Sequence, residues 1–228
     1  MYTLTKLARG MIGQLKPQPP QGDAPATLPL PPPQTDSGMP LMQALSQRQS
    51  QRQFAPGALA DQVLSDLLWA AAGINRPDVE GRTVPSAMNS QEIDVYAALP
   101  QGLYRYEPSS HVLYLISATD VRRVTGYQDF VDHAPLDLIY VADHARMTAV
   151  PAVQRESYAS VATGAMAQTV YLFCASAGLA TVIRAWMDRQ ALAEAMGLGA
   201  DHQILMSQTV GWPAALPAAA ASVSPLPA

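Results

Sequence analysis

Proline placement divides this chain before any secondary structure is assigned. Nine of its twenty prolines fall within residues 1–40, and four more lie at or beyond Pro213. Each proline ring fixes φ at about −65° and removes a backbone donor. The run Leu28-Pro29-Leu30-Pro31-Pro32-Pro33 must therefore be extended. The C-terminal stretch Ala214-Ala215-Leu216-Pro217-Ala218-Ala219-Ala220-Ala221 is low in complexity and lacks the periodicity of a packed element. The expected partition is a Pro-rich arm at 1–40, a folded domain at 41–213 and a tail at 214–228. An arm of this kind either frays or wraps a partner subunit.

The 228 residues suffice for one good-sized core, and 49% hydrophobic with 14% charged residues marks a globular chain with a sparsely charged surface. A formal net charge of −4 argues against nucleic acid as the main partner, since phosphate binding needs a basic face. The single cysteine, Cys174, excludes an internal disulfide or a Cys-x-x-Cys pair, and its apolar neighbours Tyr171-Leu172-Phe173-Cys174-Ala175 suit a buried, inert thiol. The longest apolar stretch, Val161 to Ile183, is interrupted by Gln168, Thr169, Ser176 and Gly178, so no membrane span is expected. The first nine residues are basic but lack the apolar core of a signal peptide, which makes cytoplasmic residence the expectation.

Within 41–213 the patterning is mixed. Asp61 to Ala72 places Val63, Leu64, Leu67, Leu68 and Ala71 on one face, predicting an amphipathic helix closed by Gly73. Ile93 to Ala97 reads as a half-buried strand. Gly102–Tyr106 and His111–Leu115 flank a Pro-Ser-Ser turn as a hairpin. Leu138 to Ala142 reads as a buried central strand. A long helix is expected over about 156–177, then a short strand at 181–183, a helix over 189–196 and a last strand over 203–210. Helices precede, interrupt and follow the strands, so the fold class is α+β.

The common catalytic signatures are missing: no G-x-G-x-x-G, Walker loop, G-x-S-x-G or H-E-x-x-H occurs, and His111, His133, His144 and His202 lack metal-ligand spacing. Three segments stand out instead. The first is Ser46-Gln47-Arg48-Gln49-Ser50-Gln51-Arg52-Gln53-Phe54. Arg48 and Arg52 are four apart, so one helical face could present two guanidiniums with the Ser50 hydroxyl, a donor set suited to a phosphate dianion. A solvated helix face would show the same residues. The second is Arg82-Thr83-Val84-Pro85-Ser86-Ala87-Met88-Asn89-Ser90-Gln91, either a loop that approaches a planar ligand or an ordinary turn. The third joins Gly164-Ala165-Met166-Ala167-Gln168 to Gly178-Leu179-Ala180-Thr181-Val182-Ile183-Arg184-Ala185-Trp186, where small residues allow close approach of a ligand or simply of another helix.

In this order, together with Leu67–Arg76, Tyr171–Ala175 and Thr209-Val210-Gly211-Trp212-Pro213, these segments resemble the FMN-dependent nitroreductase family over roughly residues 38–213. The branch that the chain resembles is that of the SagB-type, azoline oxidase-like dehydrogenases. The resemblance implies a nitroreductase-like fold, with a central mixed or antiparallel sheet flanked by helices, and a homodimer with FMN at the subunit interface. It implies that Arg48 and Ser50 hold the FMN phosphate, helped by the backbone at Gln49. Arg52 would reach the ribityl chain or the N1–O2 edge, provided that the chain leaves regular helix after Ser50. Pro85, Ser86, Ala87 and Asn89 would come from the partner subunit, and Ile183, Arg184 and Ala185 would lie beside the ring near N5. Gln168 is a further candidate, and Arg184 and Trp186 are candidates for shaping the open face.

The implied activity passes a hydride from NAD(P)H through flavin N5 to a nitroaromatic, quinone or similar acceptor in a ping-pong cycle. No protein nucleophile, acid–base pair or metal is needed, because the chemistry belongs to the flavin. Oxidation of azoline heterocycles in modified peptides is the alternative within the family. A non-catalytic flavin carrier, or an interaction protein using Leu28–Pro33 as a polyproline ligand, is the alternative outside it. Three departures from the family pattern are evident. Thr169 stands where Asn is frequent, Ala185 where Gly is frequent, and no Lys or Arg follows Arg189, leaving His202 or Gln203 as substitutes for a C-terminal phosphate ligand.

Overall fold

The computed structural model describes residues 3–214. Its framework is a seven-stranded sheet in the order β1-β6-β5-β4-β7-β9-β8, comprising β1 (Thr27–Pro29), β4 (Ile93–Leu99), β5 (Gly102–Glu107), β6 (Val112–Ser117), β7 (Leu136–Asp143), β8 (Ala180–Arg184) and β9 (His202–Gly211). Every neighbouring pair is antiparallel. A small ribbon pairs β2 (Ile74–Arg76) with β3 (Gly81–Arg82). The helices are α1 (Thr3–Met11), α2 (Leu41–Gln47), α3 (Asp61–Ala72), α4 (Ala152–Ala177) and α5 (Arg189–Met196). The fold is α+β, as the patterning predicts, and its central sheet is antiparallel, one of the two forms that the resemblance implies.

The sheet is covered on both faces. On one side α3 and α4 pack Leu67, Leu68, Ala71, Ala162 and Val170 against Val95, Ala97, Leu138 and Tyr140. On the other, Val124, Tyr127, Met187, Leu192 and Met196 pack against Tyr96, Ala98, Ile139 and Ile204. This explains why β7 reads as a continuous apolar run. It also corrects the expectation of a half-buried strand at Ile93 to Ala97. Val95 and Ala97 enter one core, Tyr96 and Ala98 the other, and all four are buried.

The boundaries of α3 and α5 fall where the sequence places them. Helix α4 begins one turn earlier than expected, directly after Pro151. Pro is well tolerated at a helix start, where its missing N–H has no intrahelical partner to lose.

Residues 3–40 pack against the same chain's folded domain. Strand β1 pairs with β6 through Leu28↔Leu113 and Pro29↔Val112, an edge position that a proline can occupy. The Ser65 hydroxyl donates to Pro31 O at 2.5 Å and meets His111 Nε2 at 2.7 Å, while Tyr106 Oη lies 2.8 Å from His111 Nδ1. With the Ser65 proton committed to Pro31, His111 carries its hydrogen on Nε2 and accepts from Tyr106 at Nδ1. One imidazole thus ties the proline run to α3 and to the β5–β6 hairpin. The tail beyond Ala214 lies outside the described residues.

Candidate functional site

Helix α2 stops at Arg48, whose φ of −57° and ψ of 122° turn the chain extended. Arg48 and Arg52 therefore do not share a helical face, contrary to the i,i+4 expectation, and the chain leaves the helix before Ser50 rather than after it. The extended segment then runs along the sheet. Gln51 N–H donates to Thr181 O at 2.9 Å, Ala55 N–H to Trp212 O at 2.8 Å, and Ala214 N–H to Gln53 O at 3.1 Å. Between the end of α2 and the Gln51 anchor, the N–H groups of Gln49 and Ser50 have no acceptor among the described residues.

Arg48 and Gln49 line a cavity of about 360 Å³ together with Gln47, Gln51, Tyr171, Thr181 and Pro213. The Arg48 guanidinium is half-buried and sits 5.4 Å from the centre of the Tyr171 ring. Neither Arg48 nor Arg52 has an acidic partner within ion-pair distance among the described residues.

Tyr171 organises the site from α4. Its hydroxyl oxygen accepts the Ile183 N–H at 3.0 Å and lies 2.7 Å from Ser50 Oγ. The hydrogen-bond chain thus runs from the Ile183 N–H through Tyr171 Oη to Ser50 Oγ, and either hydroxyl can donate in the last link. Sequence alone places Tyr171 in the apolar run Tyr171–Ala175 and not in the site. The available signal was a lone phenol within an otherwise apolar run, opposite a segment of arginines and a serine.

The remaining predicted residues divide into groups. Ile183 is half-buried beside this hydrogen-bond chain and Ala185 is exposed at the end of β8. Pro85, Ser86 and Ala87 line a different, apolar groove of about 330 Å³ with Tyr158, Val161, Ala162 and Ala165 of α4. Asn89 is exposed, in a loop where Met88 and Asn89 take φ of 53° and 54°. Within a single chain the Pro85 loop does not join the Arg48 cavity. Gln168 is exposed on α4.

Arg184 is placed differently from expectation. Its side chain is buried beneath the sheet, not on the open face. It meets Asp137 at 2.5 Å, Thr125 O at 2.7 Å and Thr209 Oγ1 at 2.8 Å. Burial pushes the Asp137 carboxyl up and the Arg184 guanidinium down, and their contact opposes both shifts. Gly126 makes room for this pair, since a Cβ there would collide with the guanidinium. Arg184 therefore offers a ligand only its backbone.

Residues 45–212 match the family model described as the nitroreductase family. The chain belongs to the nitroreductase family. It is 32% identical over 162 residues to a presumptive nitroreductase of Methanocaldococcus jannaschii, covering 66% of this chain and 81% of that protein. A crystal structure of a nitroreductase homologue from Ralstonia eutropha superposes with a TM-score of 0.85 at 50% identity, covering 89% of this chain and 96% of that one. The Escherichia coli microcin synthetase complex aligns at a TM-score of 0.61 and 20% identity, a likeness of fold.

In this nitroreductase-family chain the substitutes considered for a C-terminal phosphate ligand are misplaced. His202 and Gln203 open β9 opposite Asp143 and Ala142, whereas the cavity lies where Thr181 and Pro213 meet, at the other end of that strand. Gln203 is instead bonded to His144 at 2.8 Å. Thr169 turns its hydroxyl back to Ala165 O at 3.0 Å, inside its own helix. Burial pushes the Cys174 thiol well above its usual range, as an inert core thiol requires. No helix among the described residues is long and apolar enough to cross a membrane.

Proposed function

We propose that the chain is an FMN-dependent oxidoreductase whose FMN-binding unit spans 41–213 and works as a homodimer. The observation that carries this reading is the uncommitted donor set at the Arg48 cavity. Among the described residues it comprises one half-buried guanidinium without an acid, two backbone N–H groups without acceptors, and a serine hydroxyl held in place by Tyr171. Such a set fits a phosphate dianion, through one charge-assisted contact and a short run of backbone donors.

On this reading Arg48, Ser50 and the Gln49 N–H hold the phosphate. Arg52, exposed one residue beyond the Thr181 anchor, approaches the ribityl chain or the N1–O2 edge. A positive charge at that edge favours uptake of a hydride. The backbone of Ile183, Arg184 and Ala185 borders the ring, held in place by Tyr171 above and by the buried Arg184–Asp137 pair below. FMN, when bound, supplies the atom that takes a hydride from a nicotinamide donor and passes it to a nitroaromatic, quinone or similar acceptor. Pro85, Ser86, Ala87 and Asn89 of one subunit complete the site of the other, and Gln168 lies behind the cofactor. Pairing is supported by the exposed apolar side chains of Leu41, Met42, Met88, Val153 and Val161 on α2, the Pro85 loop and α4. The finer placement beside the SagB-type dehydrogenases rests on motif order.

The test is the visible spectrum of the purified protein before and after anaerobic addition of NADH and then NADPH. Flavin bands that bleach with either donor support the reading. A colourless protein that also fails to take up added FMN overturns it.

A further inference from the structure

Past Ile183, the chain carries a half-exposed indole that is fixed from behind. Trp186 is 49% exposed, a large apolar surface to leave in water. Its ring packs edge-on to Tyr127, with centroids 5.5 Å apart and planes at 66°, and its carbonyl accepts the Tyr127 N–H at 3.4 Å. Tyr127 is buried in turn, and α1 lies against it. Gly10 comes so close to the Tyr127 ring that a Cβ there would collide with it. One helical turn earlier on the same face, the buried Lys6 ammonium donates to Gln128 O at 3.2 Å and to Asp132 at 2.5 Å. Both partners belong to the segment that bears Tyr127. The stack therefore runs from α1 through Tyr127 to Trp186. It ends in a flat apolar face three residues beyond Ile183, whose N–H is held by Tyr171.

We propose that Trp186 is the platform on which a flat aromatic electron acceptor stacks, and that Tyr127, braced by Gly10 and Lys6 of α1, is its positioning residue. This rests on the FMN-oxidoreductase reading above. It also gives the N-terminal arm a part in the site. A rigid indole loses little freedom when an acceptor covers it, and offset or edge-on aromatic contacts add to the burial of its face. An acceptor without a flat ring gains nothing from the platform.

The experiment follows reoxidation of the FMN-loaded, dithionite-reduced protein in stopped flow, so that no nicotinamide donor is required. Menadione takes a hydride and a solvent proton per flavin, and ferricyanide takes single electrons, two ions per flavin. For Trp186→Ala the menadione concentration at half-maximal rate should rise about fivefold, with the ferricyanide rate unchanged. Trp186→Leu, which keeps bulk but not the ring face, should behave likewise, whereas Trp186→Phe should stay near the parent. Tyr127→Ala should raise the same menadione concentration without altering the limiting rate, and Tyr127→Phe should restore it. Independently of turnover, menadione should quench less of the tryptophan emission in Trp186→Ala than in the parent. Equal effects on both acceptors, or no effect in Trp186→Ala and Trp186→Leu, would overturn the platform while leaving the cofactor reading intact. A parent chain that binds no FMN overturns both.

Discussion

Two arginines, one on each side of β8, show how the same side chain serves opposite ends. Arg184 is buried and paired, with Asp137 opposite it and Thr125 and Thr209 accepting from its two terminal nitrogens, while its Nε has no acceptor among the described residues. Arg48 is half-buried, lies over an aromatic ring and faces a polar cavity with no acid beside it. A guanidinium whose counter-charge is built into the fold holds the fold together. One whose counter-charge is missing is available to a ligand that brings its own. The sequence places both in conspicuous segments, and only their partners separate their roles.

The largest test of this contrast is Arg184→Met. It leaves the Asp137 carboxylate buried and unpaired and should cost about 3–5 kcal/mol of stability by denaturant unfolding. Adding Asp137→Asn should recover part of that loss, because the stranded charge is removed with its partner. Arg48→Ala should do the opposite. Stability should change by less than about 0.5 kcal/mol, while FMN affinity should fall by about 1.5–3 kcal/mol, since a charge-assisted contact is lost. Tyr171→Phe should blur the two classes. It strands the Ile183 N–H and frees Ser50, so stability should fall by about 1–2 kcal/mol and FMN retention on gel filtration should drop in the same variant.

The smallest effect concerns neither arginine. Burial holds His111 below the ordinary imidazole range, outweighing the opposing influence of Pro31 and Asp66. Its folded-state pKa is thus lower than its unfolded one. The associated stability is present above the ordinary pKa and is lost as pH falls through it toward the folded value. Limited proteolysis between Pro31 and Leu41 should accelerate modestly from pH 7.5 to 5.5, and His111→Gln should flatten that dependence. An unchanged pH profile in the variant would remove His111 as the clasp of the arm.

Local signals made much of the fold legible. The apolar stripe of α3, the run of β7 and the turn between β5 and β6 each declare themselves within a few residues. What escaped was decided at long range. Helix α1 went unread because Lys6 points inward while Leu4 and Met11 face solvent, the reverse of an ordinary amphipathic pattern at those positions. The burial of Arg184 depends on Asp137, 47 positions away, and on the absence of a Cβ at Gly126. At the candidate site the sequence singles out Arg48 and Gln49, which line one cavity, and Ser50, which bonds to Tyr171 of its wall, but the early end of α2 that exposes their backbone donors goes with the docking of Gln51 onto Thr181, a contact between distant segments.

On the proposed reading it is the uncommitted guanidinium, not the paired one, that meets the cofactor. Titration of FMN into flavin-free parent and Arg48→Ala protein, followed by quenching of flavin fluorescence, checks that contact. Binding should weaken by at least about tenfold in the variant, with an unfolding midpoint matching the parent. Equal affinity for FMN in the two proteins would contradict it.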